Sequence, residues 1–137
     1  MSNKYNILIV EDERSQREKL GDYFKKKFAN VCLASTGLEG LNKFIEYYEK
    51  DEMFDLILTD IVMPELDGLE MLEKIREIDK KVPTILVTAH HDKLKIIKAI
   101  DLQISGYFFK PLNIEDLEDK IDTIFNKKNS FNYSSFG

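Results

Sequence analysis

Five short apolar runs punctuate the chain, and each ends on polar or charged residues. Residues 5–10 (YNILIV), 31–34 (VCLA), 54–59 (FDLILT), 82–88 (VPTILVT) and 106–109 (GYFF) are rich in β-branched, aliphatic and aromatic side chains. Continuous runs of this kind suit strands buried on both faces rather than strands with one wet side. Between them the apolar positions take helical spacing. Leu20, Phe24 and Phe28 form one stripe; Leu38, Leu41, Ile45 and Tyr48 a second; Leu72 and Ile75 a third; Ile97, Ile100 and Ile104 a fourth; and Leu117, Ile121, Ile124 and Phe125 a fifth. Ser15 with Glu18, and Thr36 with Glu39, carry the spacing of capping boxes at two helix starts. Strand and helix therefore alternate five times. That order predicts an α/β fold, (βα)5, a doubly wound five-stranded parallel sheet whose strand C-termini share one edge. The packed domain is expected to span residues 4–126. Residues 127–137 turn polar with Phe131, Tyr133 and Phe136 interleaved, and read as a flexible tail or the start of a linker.

Composition narrows the function classes. At 137 residues the chain can bury one sizeable core. It contains no uncharged apolar run near the roughly 20 residues of a membrane span, and its opening residues lack a signal-peptide core, so a cytoplasmic location is expected. Cys32 is the single cysteine, and His90 and His91 are adjacent, which leaves neither a disulfide nor a zinc-binding pattern. A net charge of −5 would repel a phosphate backbone over most of the surface, so direct nucleic-acid contact is not expected.

In an open parallel sheet, ligands gather beyond the carboxyl ends of the strands. Glu11 and Asp12 follow the first run, Asp60 the third, Thr88 and Ala89 close the fourth, and Lys110 follows the fifth. Should the first and third strands be neighbours, three carboxylates converge, and their mutual repulsion calls for a cation. Hard oxygen ligands suit Mg²⁺, with coordination positions left for phosphate oxygens. A metal-neutralised aspartate can itself attack a phosphoryl group, and Asp60, the lone acid after a central strand, is the candidate nucleophile. Lys110 would supply a point charge to the phosphoryl oxygens, and the Thr88 hydroxyl and Ala89 amide would supply donors. Plainer readings exist beside these. Glu11 and Asp12 could serve a helix dipole, Asp67-Gly68 could be an ordinary turn, and Tyr107 an amphipathic edge residue. Lys93, Lys95 and Lys98 could form a solvated helix face or a docking surface.

IVEDE at residues 9–13, DIVMPELDG at 60–68, VTA at 87–89 and FKP at 109–111 resemble the four signatures of the receiver domain of two-component response regulators. The resemblance covers about residues 6–125. It implies a flavodoxin-like sheet of strand order 2-1-3-4-5, an order on record for the chemotaxis member of this fold and taken from it. It also implies that Asp60 is the phosphoacceptor, Asp12 a direct Mg²⁺ ligand, Glu11 a ligand through water, and the Val62 backbone carbonyl a further ligand. Thr88, Ala89 and Lys110 would bind the phosphoryl group, Lys110–Pro111 would be cis, and Thr88 with Tyr107 would form the switch. The output face would comprise the fourth helix, fifth strand and fifth helix, about residues 93–125. Partners would be a sensor histidine kinase and a downstream effector or fused output domain, and a homodimer formed on phosphorylation is compatible with the family. Such a module is not a turnover enzyme; its chemistry is self-phosphorylation and a weak autophosphatase activity. Val62 and His90 stand at positions that modulate hydrolysis in the family, and Val62 offers attacking water no side-chain hydrogen bond, which predicts slow dephosphorylation.

Two rivals stay open: a constitutive interaction domain that is never phosphorylated, and a receiver fragment of a longer transcription regulator or hybrid kinase. Other chemistries fit less well. The EDE loop would repel a flavin phosphate, residues 11–14 lack the Asp-x-Asp of haloacid dehalogenases, and no GxxxxGK[ST] is present.

Overall fold

The computed structural model describes the backbone of residues 2–89 and 91–134 and the side chains of residues 4–89 and 91–126. Strands β1 (Ser2–Val10), β2 (Phe28–Ala34), β3 (Leu56–Thr59), β4 (Thr84–Thr88) and β5 (Gly106–Phe109) alternate with helices α1 (Arg14–Phe24), α2 (Gly37–Glu49), α3 (Gly68–Ile78), α4 (Lys93–Asp101) and α5 (Ile114–Ser134). The strands form one sheet in the order β2-β1-β3-β4-β5, and every neighbouring pair is parallel. This is the doubly wound, flavodoxin-like sheet that the apolar runs and the resemblance predict.

The continuous apolar character of the strands follows from how they are covered. Along β1, Ile7 and Ile9 join Leu56, Leu58, Ile85 and Val87 in a cluster with Phe24 of α1 and Leu117, Ile121 and Phe125 of α5. The alternate residues Leu8 and Val10 join Ile57 in a second cluster with Leu41 and Phe44 of α2 and Met71, Leu72 and Ile75 of α3. Both sheet faces are dry, so neither parity of the strand can be polar. Register then fixes the edge: Val10 pairs with Thr59 across β1 and β3, and Thr88 pairs with Phe109 across β4 and β5. Glu11, Asp60 and Lys110 are each the first residue beyond those strands.

Several local expectations are corrected. Phe28 does not extend the α1 stripe; α1 ends at Phe24, and Phe28 opens β2 with its ring 5.5 Å from that of Phe24, so both feed the same core from different elements. Ser15 and Glu18 form no capping box. The carboxylate of Glu13 accepts from the amides of Ser15 and Gln16, while Glu18 pairs with Arg14 one turn away. Thr36 does cap α2, accepting from the Glu39 amide, but the Glu39 carboxylate reaches the Ser35 amide instead of closing the box on Thr36. The α2 face is rotated from the predicted stripe: Leu38 and Tyr48 are exposed and Phe44 is buried. On α4 two of the predicted stripe's residues point outward, with Ile97 54% and Ile100 53% exposed and Ala99 buried in their place, whereas Ile104 lies beyond the helix end and packs against the core.

The α5 backbone continues past Asn126, where helical spacing in the sequence fades. The side chains of the expected tail, including Phe131 and Tyr133, and residues 135–137 with Phe136, lie outside the described residues.

Candidate functional site

Asp60 follows β3 and is held at both ends of its carboxylate. Its Oδ1 accepts from the Ile61 amide at 2.6 Å, and its Oδ2 accepts from Lys110 Nζ at 3.0 Å. Behind it, the N-terminus of α3 packs directly onto the strand end. The Gly68 amide donates to the Ile61 carbonyl at 2.6 Å, and a Cβ on Gly68 would fall 1.9 Å from the Asp60 carbonyl oxygen. Only glycine permits that approach. Asp67 and Glu70 form a full capping box on α3 and so fix the same corner, where the Asp67-Gly68 pair by itself predicts only a turn.

From β1, Glu11 enters the same space. Lys110 Nζ donates to its Oε1 at 2.7 Å, and the Glu13 amide donates to its Oε2 at 3.0 Å. Lys110 thus bridges Glu11 and Asp60 from the far side of the sheet edge, and the Lys110–Pro111 peptide bond is cis, as the resemblance implies. Glu11 and Asp60 are 3% and 7% exposed. Asp12 is exposed, yet a carboxylate oxygen from each of Glu11, Asp12 and Asp60 lies within 4.8 Å of the others.

Burial pushes the Glu11 carboxyl above its ordinary 4.5, an effect that the hydrogen bond and charge of Lys110 offset only in part. Burial also acts to lower the Lys110 ammonium, but its hydrogen bonds to Glu11 and Asp60 and their charges override it, so it lies above its ordinary 10.5. Three acids therefore face one ammonium. The surplus negative charge, the all-oxygen donor set and the exposed side at Asp12 fit a hard divalent cation with room for further oxygen ligands.

Thr88 is fully buried at the end of β4, and Ala89 beside it is exposed. Val62, two residues after Asp60, is 38% exposed. Tyr107 lies outward on β5 at 43% exposure, its ring edge-on to Phe109 at 5.8 Å. His91 stacks on Phe109 with centroids 4.0 Å apart; His90 lies outside the described residues. Sequence reasoning missed Glu13 as a cap, the Arg17 guanidinium that donates to the Glu11 and Asp12 carbonyls, and the close approach at Gly68. Gly68 had a signal in the Asp-Gly pair, whereas Arg17 had none beyond its helical distance from the acids.

The family model of the response regulator receiver domain matches residues 7–122. The chain belongs to this family. The receiver domain is 36% identical over 122 residues to the probable transcriptional regulator ycf29 of Porphyra purpurea, covering 88% of this chain and 56% of that protein. It is 33% identical to the response regulator ArlR of Staphylococcus aureus, covering 89% of this chain and 53% of that one. A crystal structure of a response regulator receiver domain protein from Clostridium thermocellum superposes with a TM-score of 0.79 at 28% identity, over 93% of this chain and 98% of that one. The receiver domain spans about half the length of these two curated relatives. Among the described residues, no helix is long and apolar enough to cross a membrane.

Proposed function

We propose that this receiver domain takes a phosphoryl group onto Asp60 from the phosphohistidine of a sensor histidine kinase, in a Mg²⁺-dependent reaction in the cytoplasm, and passes the change to a downstream effector or output domain. The observation that carries this reading is Lys110 Nζ lying 2.7 Å from Glu11 and 3.0 Å from Asp60, beside the third acid Asp12. An Asp60 carboxylate oxygen attacks phosphorus; the O–P bond forms as the P–N bond breaks, and the imidazole nitrogen leaves with that electron pair. Glu11, Asp12, Asp60 and the Val62 carbonyl would hold Mg²⁺, which when bound neutralises the carboxylates and the phosphoryl oxygens. Lys110 holds the Asp60 carboxylate in place through Oδ2, and offers its ammonium to a phosphoryl oxygen. The Thr88 hydroxyl and Ala89 amide donate to the others.

The acyl phosphate carries about −1.5 to −2 charges where the carboxylate carried one, so the buried sheet edge gains up to about one negative charge together with three acceptor oxygens. Drawing Thr88 toward it opens space for Tyr107, which moves the α4–β5–α5 face. Support for that face as the output comes from its exposed apolar residues: Leu94 at 78%, Ile97, Ile100 and Tyr107. Switching it needs only a few kcal/mol of differential stabilisation. The domain acts once per phosphorylation and is not a turnover enzyme.

Incubation with a small phosphodonor such as phosphoramidate plus Mg²⁺ tests the reading by intact mass. A gain of one phosphoryl group, lost in EDTA and in Asp60→Asn, is expected. No gain in the wild-type protein overturns it in favour of the constitutive interaction domain.

A further inference from the structure

We propose that Arg17 is a positioning residue for the metal-holding loop, acting on its backbone and leaving its carboxylates free. The inference rests on the Mg²⁺-dependent reading above. Arg17 lies in the second turn of α1, and its Nη1 donates to the Glu11 carbonyl at 2.9 Å and to the Asp12 carbonyl at 3.3 Å. One nitrogen therefore ties the two consecutive peptide groups that flank Asp12.

The choice of acceptor is informative. Arg17 follows a segment containing Glu11, Asp12 and Glu13, and a guanidinium whose role was to neutralise them would pair with a carboxylate in its preferred two-pronged geometry. Among the described residues, Arg17 forms no ion pair. Its partners are carbonyl oxygens, so it takes up none of the carboxylate oxygens of the loop acids.

Asp12 has most to gain from this. Glu11 is fixed from several sides: its amide donates to the Ala34 carbonyl at 3.0 Å, and its carboxylate is held by Lys110 and by the Glu13 amide. Asp12 is exposed and is the least packed of the three acids. Its backbone is fixed on one side by Glu13, which caps α1 through the Ser15 and Gln16 amides, and at its carbonyls by Arg17. A carboxylate that must share an ion with Glu11 and Asp60 loses less freedom on binding when its backbone is already set, which is the general benefit of preorganisation.

Charge and positioning predict opposite signs, which makes the inference testable. Arg17→Met keeps the aliphatic stem and removes the charge. By charge alone, deleting a cation near three acids tightens Mg²⁺. By positioning, Mg²⁺ binds more weakly. Calorimetric titration of the full chain with Mg²⁺ alone, beside urea unfolding of both proteins in EDTA, separates the two. We expect the Mg²⁺ dissociation constant of Arg17→Met to rise about fivefold or more, roughly 1 kcal/mol, with the metal-free unfolding midpoint little changed. Arg17→Lys, which retains the charge and can reach one carbonyl, is expected to fall between wild type and Arg17→Met, and it carries the test if Arg17→Met does not fold. An unchanged or lower dissociation constant in the variants overturns the positioning role while the Mg²⁺ reading stands. Absence of Mg²⁺ binding by the wild-type protein overturns both.

Discussion

Replacing Lys110 by methionine removes the one cationic group that, among the described residues, pairs with the carboxylates of Glu11 and Asp60, while keeping most of the aliphatic stem. In metal-free protein this leaves two carboxylates, with side chains 4% and 8% exposed, facing each other without compensation. Removing one partner of a buried ion pair typically costs about 3–5 kcal/mol. The cost here is lower, about 2–3 kcal/mol, because water reaches the cluster past Asp12 and a freed carboxylate can escape by taking up a proton. For a domain of this size that corresponds to a fall in Tm of roughly 6–12 °C in EDTA. Two conditions sharpen the test. Saturating Mg²⁺ replaces the missing charge, and at about 100 times its dissociation constant it contributes about 2.7 kcal/mol, so most of the loss should be recovered. Lowering the pH should also shrink the gap between the proteins. The buried Glu11 carboxyl is held above its ordinary 4.5 even with Lys110 beside it, so the folded state binds its proton more tightly, and stability rises as pH falls through the folded value toward 4.5. The wild-type Lys110 contribution has the opposite window. Its pKa is raised above 10.5, so it is fully present at neutral pH and lost only as pH rises through the folded value. Differential scanning calorimetry at pH 7.5 and pH 5, with EDTA or Mg²⁺, provides the assay. An EDTA loss below about 1 kcal/mol, or a loss that Mg²⁺ leaves untouched, would refute the claim that Lys110 stands in for a cation at this cluster.

Gly68→Ala places a methyl against the Asp60 carbonyl backbone, which cannot rotate away, and should cost about 3 kcal/mol in urea unfolding together with slower phosphoryl uptake. In a carboxyl NMR titration of metal-free protein, Glu11 should titrate above 4.5, and Mg²⁺ should bring its midpoint down; an ordinary midpoint in EDTA would contradict its burial. Ile97→Ser, on the outward face of α4, should change stability by less than about 0.5 kcal/mol, whereas Phe44→Ala, in the second core cluster, should cost about 3–5 kcal/mol by denaturant titration.

Sheet and site were both readable from the chain because they depend on chemistry local to each strand. A parallel strand covered on both faces must be apolar throughout, and a site built at strand ends places Glu11, Asp60 and Lys110 immediately after the runs. Helix faces were less legible. The apolar positions of α2 admit more than one stripe, and the one that meets the sheet is set by how closely the helix approaches Val10 and Met71, which periodicity does not encode. On α4, Ile97 and Ile100 have the composition of a core face, yet Ala99 occupies the contact, so the isoleucines remain outside. Phe28 was misplaced because an aromatic at helical spacing from Phe24 packs on the same cluster whether it continues the helix or begins a strand. Arg17 was invisible for another reason: its partners are backbone carbonyls, which carry no sequence signature.

The central claim concerns where phosphorus becomes attached. Treating the Mg²⁺-phosphodonor product with borohydride, which reductively cleaves an acyl phosphate, and mapping the altered residue by peptide mass spectrometry reads this directly. The account predicts modification at Asp60 alone, absent without Mg²⁺; modification at Glu11, Asp12 or a residue elsewhere in the chain would contradict it.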